Sequence, residues 1–160
     1  GERERGSGEF LAHSPASSAE IFVGKLLAAL VPGYSAAFGG MITYALVVNA
    51  FLAPRTHGVY FPIGNWWVFM VWMVPAMITL AVTLILIVSS RVSSGASAQQ
   101  ASSLIALPLV VTAYGVSASA FFGSATSAWV VGALAWIGAA FAIYRGATTL
   151  NRQRLLGLGG

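Results

Sequence analysis

The stretch from residue 66 to residue 90, WWVFMVWMVPAMITLAVTLILIVSS, decides the fold class of this chain. It contains no charged side chain, and a helix needs about 20 apolar residues to cross the roughly 30 Å hydrocarbon core of a bilayer. A segment in hydrocarbon must also satisfy its own backbone hydrogen bonds, which a helix does internally. The stretch therefore predicts a transmembrane helix.

The composition of the whole chain agrees with this prediction. Of 160 residues, 58% are hydrophobic and 8% are charged, and the mean hydropathy is +0.82. A soluble domain carries roughly a quarter of its residues as charges, so this composition excludes that class. The chain has no cysteine, which excludes disulfides, thiolate metal sites and thiol nucleophiles.

Four segments are long and apolar enough to span a membrane. They predict an all-α, multi-pass transmembrane helix bundle, with spans at about 21–52, 66–90, 102–122 and 127–144. The first is longer than one crossing requires, so we expect it to tilt, or to kink at Pro32-Gly33. Pro75 and Pro108 lie inside the second and third spans, where we expect neighbouring helices or Ser and Thr hydroxyls to satisfy the freed carbonyls.

The basic residues predict the orientation of the bundle. One side of the membrane receives Arg3, Arg5, Lys25, Arg91, Arg145, Arg152 and Arg154, and the other receives only Arg55. Basic residues favour the cytoplasmic side, so both termini are predicted to be cytoplasmic. The loop 53–65 is then external, and Trp66-Trp67 at its edge fit an aromatic belt. A short turn near Gly123 joins the third and fourth spans as an antiparallel hairpin.

Small residues recur at four-residue spacing on the last two spans. They are Gly115, Ser119 and Gly123 on the third, and Gly138, Ala142 and Gly146 on the fourth. Such residues let helices approach closely, which indicates bundle packing, although a substrate path lined by small residues stays open. The same two interpretations apply to the polar residues within spans, Thr43, Tyr44, Asn49, Thr79 and Thr83.

The sequence offers no constellation for bond chemistry. No ionisable residue lies deep in a span, and His13 and His57 fall on opposite sides of the predicted membrane. The serines lack a base in the same layer, and no Gly-rich loop could bind a nucleotide phosphate. We therefore predict no catalytic, cofactor or metal site, and no enzyme. The net charge of +4 is interpreted as helix anchoring, without nucleic acid as a partner.

The first span is preceded by a polar leading segment. Ser14-Pro15 suits a helix start, and Ser17 with Glu20 forms the Ser-x-x-Glu pattern of a capping box. Before them, a charged patch at 1–6 is followed by Phe10 and Leu11. This amphipathic element could lie along the interface or dock on a partner, and a solvated linker is the other interpretation.

Three motifs resemble one family. Gly1-Glu-Arg-Glu-Arg-Gly-Ser-Gly-Glu9, followed by Leu11, Pro15, Glu20-Ile21 and Gly24-Lys25, resembles a cytoplasmic loop of permease subunits of the type-2 exporter family of ATP-binding cassette (ABC) transporters. Ser89-Ser-Arg-Val92, Ala98-Gln-Gln100 and Leu107-Pro108 are similar to the next cytoplasmic loop of that family, and Arg152-Gln-Arg-Leu-Leu156 to its closing segment. The motifs occur in the family's order and cover nearly the whole chain.

The resemblance implies a transmembrane permease domain over 1–160, with a cytoplasmic coupling segment at 1–20 and a cytoplasmic tail at 145–160. The coupling contacts carried over from the family are Glu2, Glu4, Gly6, Ser7, Glu9, Leu11 and Pro15, and the second loop adds Arg91, Gln99 and Gln100. The family has six spans, so two more are expected upstream of Gly1. The implied location is a cell membrane, that of a prokaryote.

The partners implied are an ATP-binding subunit, which would hold ATP and magnesium, and a second permease copy or paralogue beside membrane lipid. Two departures from the family pattern affect the strength of coupling. Gly8 replaces an apolar residue and lowers helix stability by up to about 1 kcal/mol relative to Ala, and 93–97 lacks the family's usual charges. The alternative function is a stand-alone membrane structural or assembly protein without an ATPase.

Overall fold

The computed structural model describes residues 16–56, 58–62, 64–92, 95–121 and 124–149, and within these ranges the regular structure is helical. The helices are α1 (Ser18–Thr56), a π-helical segment (Val68–Met73) that continues into α2 (Val74–Ser89), α3 (Gly95–Phe121) and α4 (Thr126–Thr149). With the π-helical segment counted as part of α2, each is long and apolar enough to cross a membrane. The prediction of an all-α, multi-pass bundle is confirmed.

The first helix begins with the predicted capping box. The backbone N–H of Ser17 donates to Oε2 of Glu20 at 2.6 Å, and the N–H of Glu20 donates to Oγ of Ser17 at 3.3 Å. These bonds satisfy two of the donors that a helix start otherwise leaves unpaired. From there α1 stays helical through Pro32 and ends at Thr56, beyond the predicted end at 52.

One hydrophobic cluster joins α1, α2 and α4. Phe22, Leu26 and Leu30 of α1 are buried, and Leu86 of α2 and Ala147 of α4 pack against the same cluster. The beginning of α1 therefore lies beside the ends of α2 and α4. We call this end of the bundle the basic face, because it carries Lys25, Arg91 and Arg145.

A second hydrophobic cluster marks the other end of the bundle, the opposite face. Phe69 and Met73 of the π-helical segment are buried with Val116 of α3 and Ala128 of α4. The beginning of α2 thus lies beside the end of α3 and the beginning of α4, so successive helices run in alternating directions. Since α2 takes part in both clusters and contacts every other helix, it is the centre of the bundle.

The π-helical segment lies near the beginning of the second span and was not predicted from the sequence. At its end the N–H of Val74 donates to the carbonyl of Phe69, five residues back. The next residue is Pro75, whose ring clashes with the carbonyl four residues earlier in a regular α-helix. The wider π turn relieves that crowding, which gives the segment a physical reason.

Two further helix ends differ from their predicted positions. α3 begins at Gly95, where the sequence predicted a span from Ser102, and α4 continues to Thr149, where it predicted an end at Tyr144. Residues 98–101, Ala-Gln-Gln-Ala, are good helix formers but too polar to count toward a span. Hydropathy predicts only the part of a helix that contacts lipid. The hydrogen-bonded helices α3 and α4 extend beyond the lipid-contacting parts predicted for them.

The close helix contacts fall on α4. A Cβ added at Gly132 would lie 2.5 Å from Cδ1 of Trp72, and one at Gly146 would lie 2.3 Å from Cζ of Phe22. At Gly138 the nearest atom, Cδ1 of Leu80, is 3.4 Å away, an ordinary contact. The expectation of close approach was wrong at Gly115 of α3, where no atom lies within 4 Å. Gly123 lies outside the described residues.

Candidate functional site

Most of the predicted coupling residues precede the described part of the chain. Glu2, Glu4, Gly6, Ser7, Glu9, Leu11 and Pro15 all lie outside the described residues. What the structure describes is the helix that follows them. α1 begins at Ser18, and the capping box gives it a hydrogen-bonded start directly after the undescribed segment.

The second predicted loop is partly described and lies on the basic face. α2 ends at Ser89, where the hydroxyls of Ser89 and Ser90 donate to the carbonyls of Leu86 and Ile87 at 3.1 and 2.7 Å. The N–H of Arg91 donates to the carbonyl of Val88 at 2.9 Å, and its side chain is exposed. This end of α2 presents a cation beside the beginning of α1.

Gln99 and Gln100 are exposed in the first two turns of α3. The sequence predicted a loop at Gln99 and Gln100, whereas both residues belong to α3. Two successive exposed amides on a helix are available to a partner as donors and acceptors. Together with Arg91, these two residues make this part of the basic face polar.

A chain of hydroxyl groups links α1 to α2 in the interior. Oγ1 of Thr79 donates to the carbonyl of Pro75 at 2.7 Å, and its oxygen lies 2.5 Å from the hydroxyl of Tyr34. The hydroxyl of Tyr34 also lies 3.3 Å from the carbonyl of Pro75, so either hydroxyl can be the donor in the shorter contact. Thr83 in turn donates to the carbonyl of Thr79 at 2.7 Å. Thr79 and Thr83 are buried; the hydroxyl of Thr79 joins α1 to α2, and that of Thr83 bonds within α2.

Asn49 fastens the loop on the opposite face to α1. Its Oδ1 accepts the N–H groups of Tyr60 and Phe61 at 2.8 and 2.9 Å, and its Nδ2 donates to the carbonyl of Phe61 at 2.6 Å. Phe61 is 2% exposed and packs edge-on between Tyr44 and Trp66, at centroid distances of 5.1 and 5.2 Å. From the sequence, Asn49 was expected either to pack between helices or to line a substrate path, and its bonds to the loop were not predicted.

These contacts favour the packing interpretation of the polar residues within spans. Thr43 donates to the carbonyl of Gly39 in its own helix at 2.9 Å, and Thr112 does the same with Pro108 at 2.8 Å. The hydroxyls of Thr79 and Thr112 thus bond to the carbonyls of the two prolines themselves. This arrangement could have been identified from the sequence, because a Thr stands four residues after Pro75 and after Pro108.

Within the ranges that the structure describes, no three His, Cys, Asp or Glu side chains lie together as metal ligands would. Both histidines lie outside those ranges. On the basic face the described residues offer the cations of Lys25, Arg91 and Arg145, the carboxylate of Glu20 and the amides of Gln99 and Gln100. Comparison with protein-family models, with curated proteins and with solved structures finds no match to this chain.

Proposed function

We propose that this chain is the membrane-spanning permease component of an ATP-driven ABC export system. The proposal rests on where the motif segments lie in the topology of the bundle. The three motif segments adjoin the beginning of α1, the connection from α2 to α3 and the end of α4, and these helix ends all belong to the basic face. A partner ATPase would meet all three from one side of the membrane.

The distribution of charge supports a cytoplasmic basic face. Lys25, Arg91 and Arg145 belong to that face, while Arg55 stands near the end of α1 on the opposite face. Basic residues near span ends favour the cytoplasmic side. ATP is a cytoplasmic fuel, so the proposed coupling segment and the ATPase would lie in the same compartment.

The packing of α1 supports a mechanism for coupling. The coupling segment leads into a capped helix, and the buried residues Phe22, Leu26 and Leu30 fix the first turns of that helix against α2 and α4. Movement of the segment by closing ATPase subunits would therefore move α1 against the bundle. Export would follow from rearrangement at the interface with a second permease copy or a paralogue, with no bond chemistry in this chain.

The chemistry of the spans supports an apolar or amphipathic substrate. The described interior contacts are apolar clusters and hydroxyls already bonded to backbone carbonyls, such as those of Thr79 and Thr83. The ATP-binding subunit would supply ATP and magnesium. The proposed location is a prokaryotic plasma membrane.

Copurification tests the proposal. The full-length protein is tagged in its native membrane and isolated in mild detergent, and we expect an ATP-binding subunit to be retained. The double variant Glu9→Lys with Leu11→Asp changes the charge and the apolar contact of the coupling segment, and should lose both that subunit and transport. The matched control is Ser124→Lys, which adds the same net charge at an exposed position on the opposite face and should keep both.

Two results would contradict the proposal. If the double variant keeps normal ATPase binding and transport, the coupling segment is not the contact. If the unmodified protein retains no ATP-binding subunit under any mild extraction, the chain acts without one, as a structural or assembly protein would.

A further inference from the structure

The loop on the opposite face carries apolar side chains that its own bundle leaves uncovered. We call residues 58–62 the clamped loop, because Asn49 holds Tyr60 and Phe61 by three hydrogen bonds. Phe61 is turned into the bundle, whereas Val59 is 84% exposed and Tyr60 is 43% exposed. A loop held this firmly presents Val59 and Tyr60 in a fixed position.

The neighbouring helix ends extend this apolar surface. Phe51, near the end of α1, is 75% exposed, and Trp67, immediately before the π-helical segment, is 52% exposed. Arg55 is exposed one helical turn after Phe51. At this end of the bundle the described residues therefore include several exposed apolar and aromatic side chains and one exposed cation, Arg55.

The position of the clamped loop in the fold identifies what covers it. The loop connects two helices that are long and apolar enough to cross a membrane, so it lies where the hydrocarbon ends and the headgroups begin. Tyr and Trp favour that layer because their rings are apolar at one end and polar at the other. A guanidinium group such as that of Arg55 pairs with phosphate through two parallel hydrogen bonds.

We propose that Phe51, Arg55, Val59, Tyr60 and Trp67 form a phospholipid-binding surface, which seats the clamped loop among the headgroups of the leaflet on the opposite face. The partner is bilayer phospholipid: the apolar side chains contact the upper acyl chains and Arg55 pairs with a phosphate. Asn49 positions the surface and does not itself touch lipid. The proposal does not depend on an ATPase partner, so it stands or fails separately from the transport function.

The absence of cysteine makes a direct test simple, because one introduced cysteine is the only thiol. The full chain with Val59→Cys carries an environment-sensitive fluorophore and is reconstituted into phosphatidylcholine and phosphatidylglycerol vesicles. Brominated phospholipid quenches a probe in the bilayer, and aqueous iodide quenches one in water. Ala96→Cys, exposed in the first turn of α3 on the basic face, is the matched control for a water-facing position.

We expect the label at Val59 to be quenched several-fold more by brominated lipid than the label at Ala96, and several-fold less by iodide. Strong iodide quenching at Val59 would overturn the proposal, since the loop would then face water. Protection from both quenchers would also overturn it, because protein would then cover the surface. If the labelled Val59 variant does not fold, as judged by circular dichroism, Tyr60→Cys provides the same comparison.

Two substitutions at Asn49 test its positioning role. Asn49→Leu removes all three hydrogen bonds to the clamped loop, and Asn49→Asp keeps the two acceptor contacts but loses the donor to the carbonyl of Phe61. We expect lipid quenching at Val59 to fall several-fold with Leu and by a smaller factor with Asp. Unchanged quenching in both would overturn the role of Asn49, and the Asp variant alone decides the question if the Leu variant does not fold.

Discussion

Among the described glycines, Gly132 and Gly146 are the two, both on α4, where an added Cβ would come closest to atoms of another helix. At Gly132 an added Cβ would meet Trp72 at 2.5 Å and the Cα of Met73 at 3.2 Å. The first of these contacts can move, but the second belongs to a backbone held in the π-helical segment. Close packing between membrane helices depends on such small residues, so a single methyl group matters here.

We predict that Gly132→Ala destabilises the protein by about 1–3 kcal/mol, the usual cost of overpacking a tight contact. Gly115→Ala is the matched control. It lies in a helix with no atom within 4 Å of the added Cβ, so it should be neutral or stabilising by up to about 1 kcal/mol. The measurement is the fraction of protein that stays monodisperse in detergent after heating. Equal losses for the two variants would show that Gly132 is not a packing contact.

Gly146 and Phe22 form a pair that a double-mutant cycle can separate. Phe22 is fully buried, so its ring cannot move aside easily for a Cβ at position 146. Gly146→Ala alone should destabilise the protein, whereas Gly146→Ala in a Phe22→Leu background should cost less, because the shorter side chain leaves room. We expect an interaction energy of about 0.5–3 kcal/mol between contacting residues. Strictly additive effects would contradict the contact, with stability again measured by thermal unfolding in detergent.

At the scale of helices, the capping box is the clearest agreement between sequence and structure. Ser-x-x-Glu is a local pattern whose partners are three residues apart, so the sequence contains everything needed to predict it. The hydroxyl of Tyr34 on Thr79 joins residues 45 positions apart, and nothing in either segment alone selects the other. The local capping bonds could therefore be predicted, whereas the pairing of Tyr34 with Thr79 could not.

Ser17→Ala should weaken the start of α1 by about 0.5–2 kcal/mol, because it removes the side chain that caps the N–H of Glu20. Ser18→Ala, one residue further on, leaves both capping bonds in place and is the control. Amide hydrogen exchange over residues 20–24 in detergent micelles measures the effect locally. Exchange that accelerates equally in the two variants would mean that the cap does not stabilise the helix start.

The hydroxyl chain between α1 and α2 gives a second prediction at this scale. Tyr34→Phe removes the hydroxyl that bonds to Thr79 while keeping the ring, and should cost about 0.5–1.5 kcal/mol, the net value of a typical hydrogen bond. In a Thr79→Val background the same change should cost less, since only the longer contact of Tyr34 with the carbonyl of Pro75, at 3.3 Å, remains to be lost. Unfolding by increasing denaturing detergent measures both, and a cost for Tyr34→Phe that is unchanged by Thr79→Val would rule out the bond.

At the scale of the whole molecule, the number of spans follows from hydropathy, but the neighbours of each span do not. The runs around residues 66–90 are apolar on every side, so no face of α2 is marked for a particular partner. The structure shows α2 between α1, α3 and α4; Gly132 allows α4 to approach the beginning of the second span, and Gly146 allows α4 to approach α1. The predicted small-residue positions identified the second of these glycines and missed the first.

The alternating directions of the helices predict opposite labelling of two turns. Ala96 stands at the beginning of α3 on the basic face, and Ser124 lies between α3 and α4 on the opposite face. In intact cells a membrane-impermeant thiol reagent should modify Ser124→Cys, and should modify Ala96→Cys only after the membrane is permeabilised. The reverse pattern would invert the orientation, and modification of both in intact cells would contradict the four-span topology.

The length of α1 has a mechanical consequence. Its buried contacts with α2 end near Tyr34, and the hydrophobic side chains after it are largely exposed. At 1.5 Å per residue, the arm from Tyr34 to Thr56 is about 33 Å long. A rotation of about 10° around Tyr34 would therefore displace its far end by about 6 Å. Asn49 lies on that arm, so the loop that it holds would move with α1. A small rotation of α1 on one side of the membrane would therefore produce a displacement of several ångströms on the other.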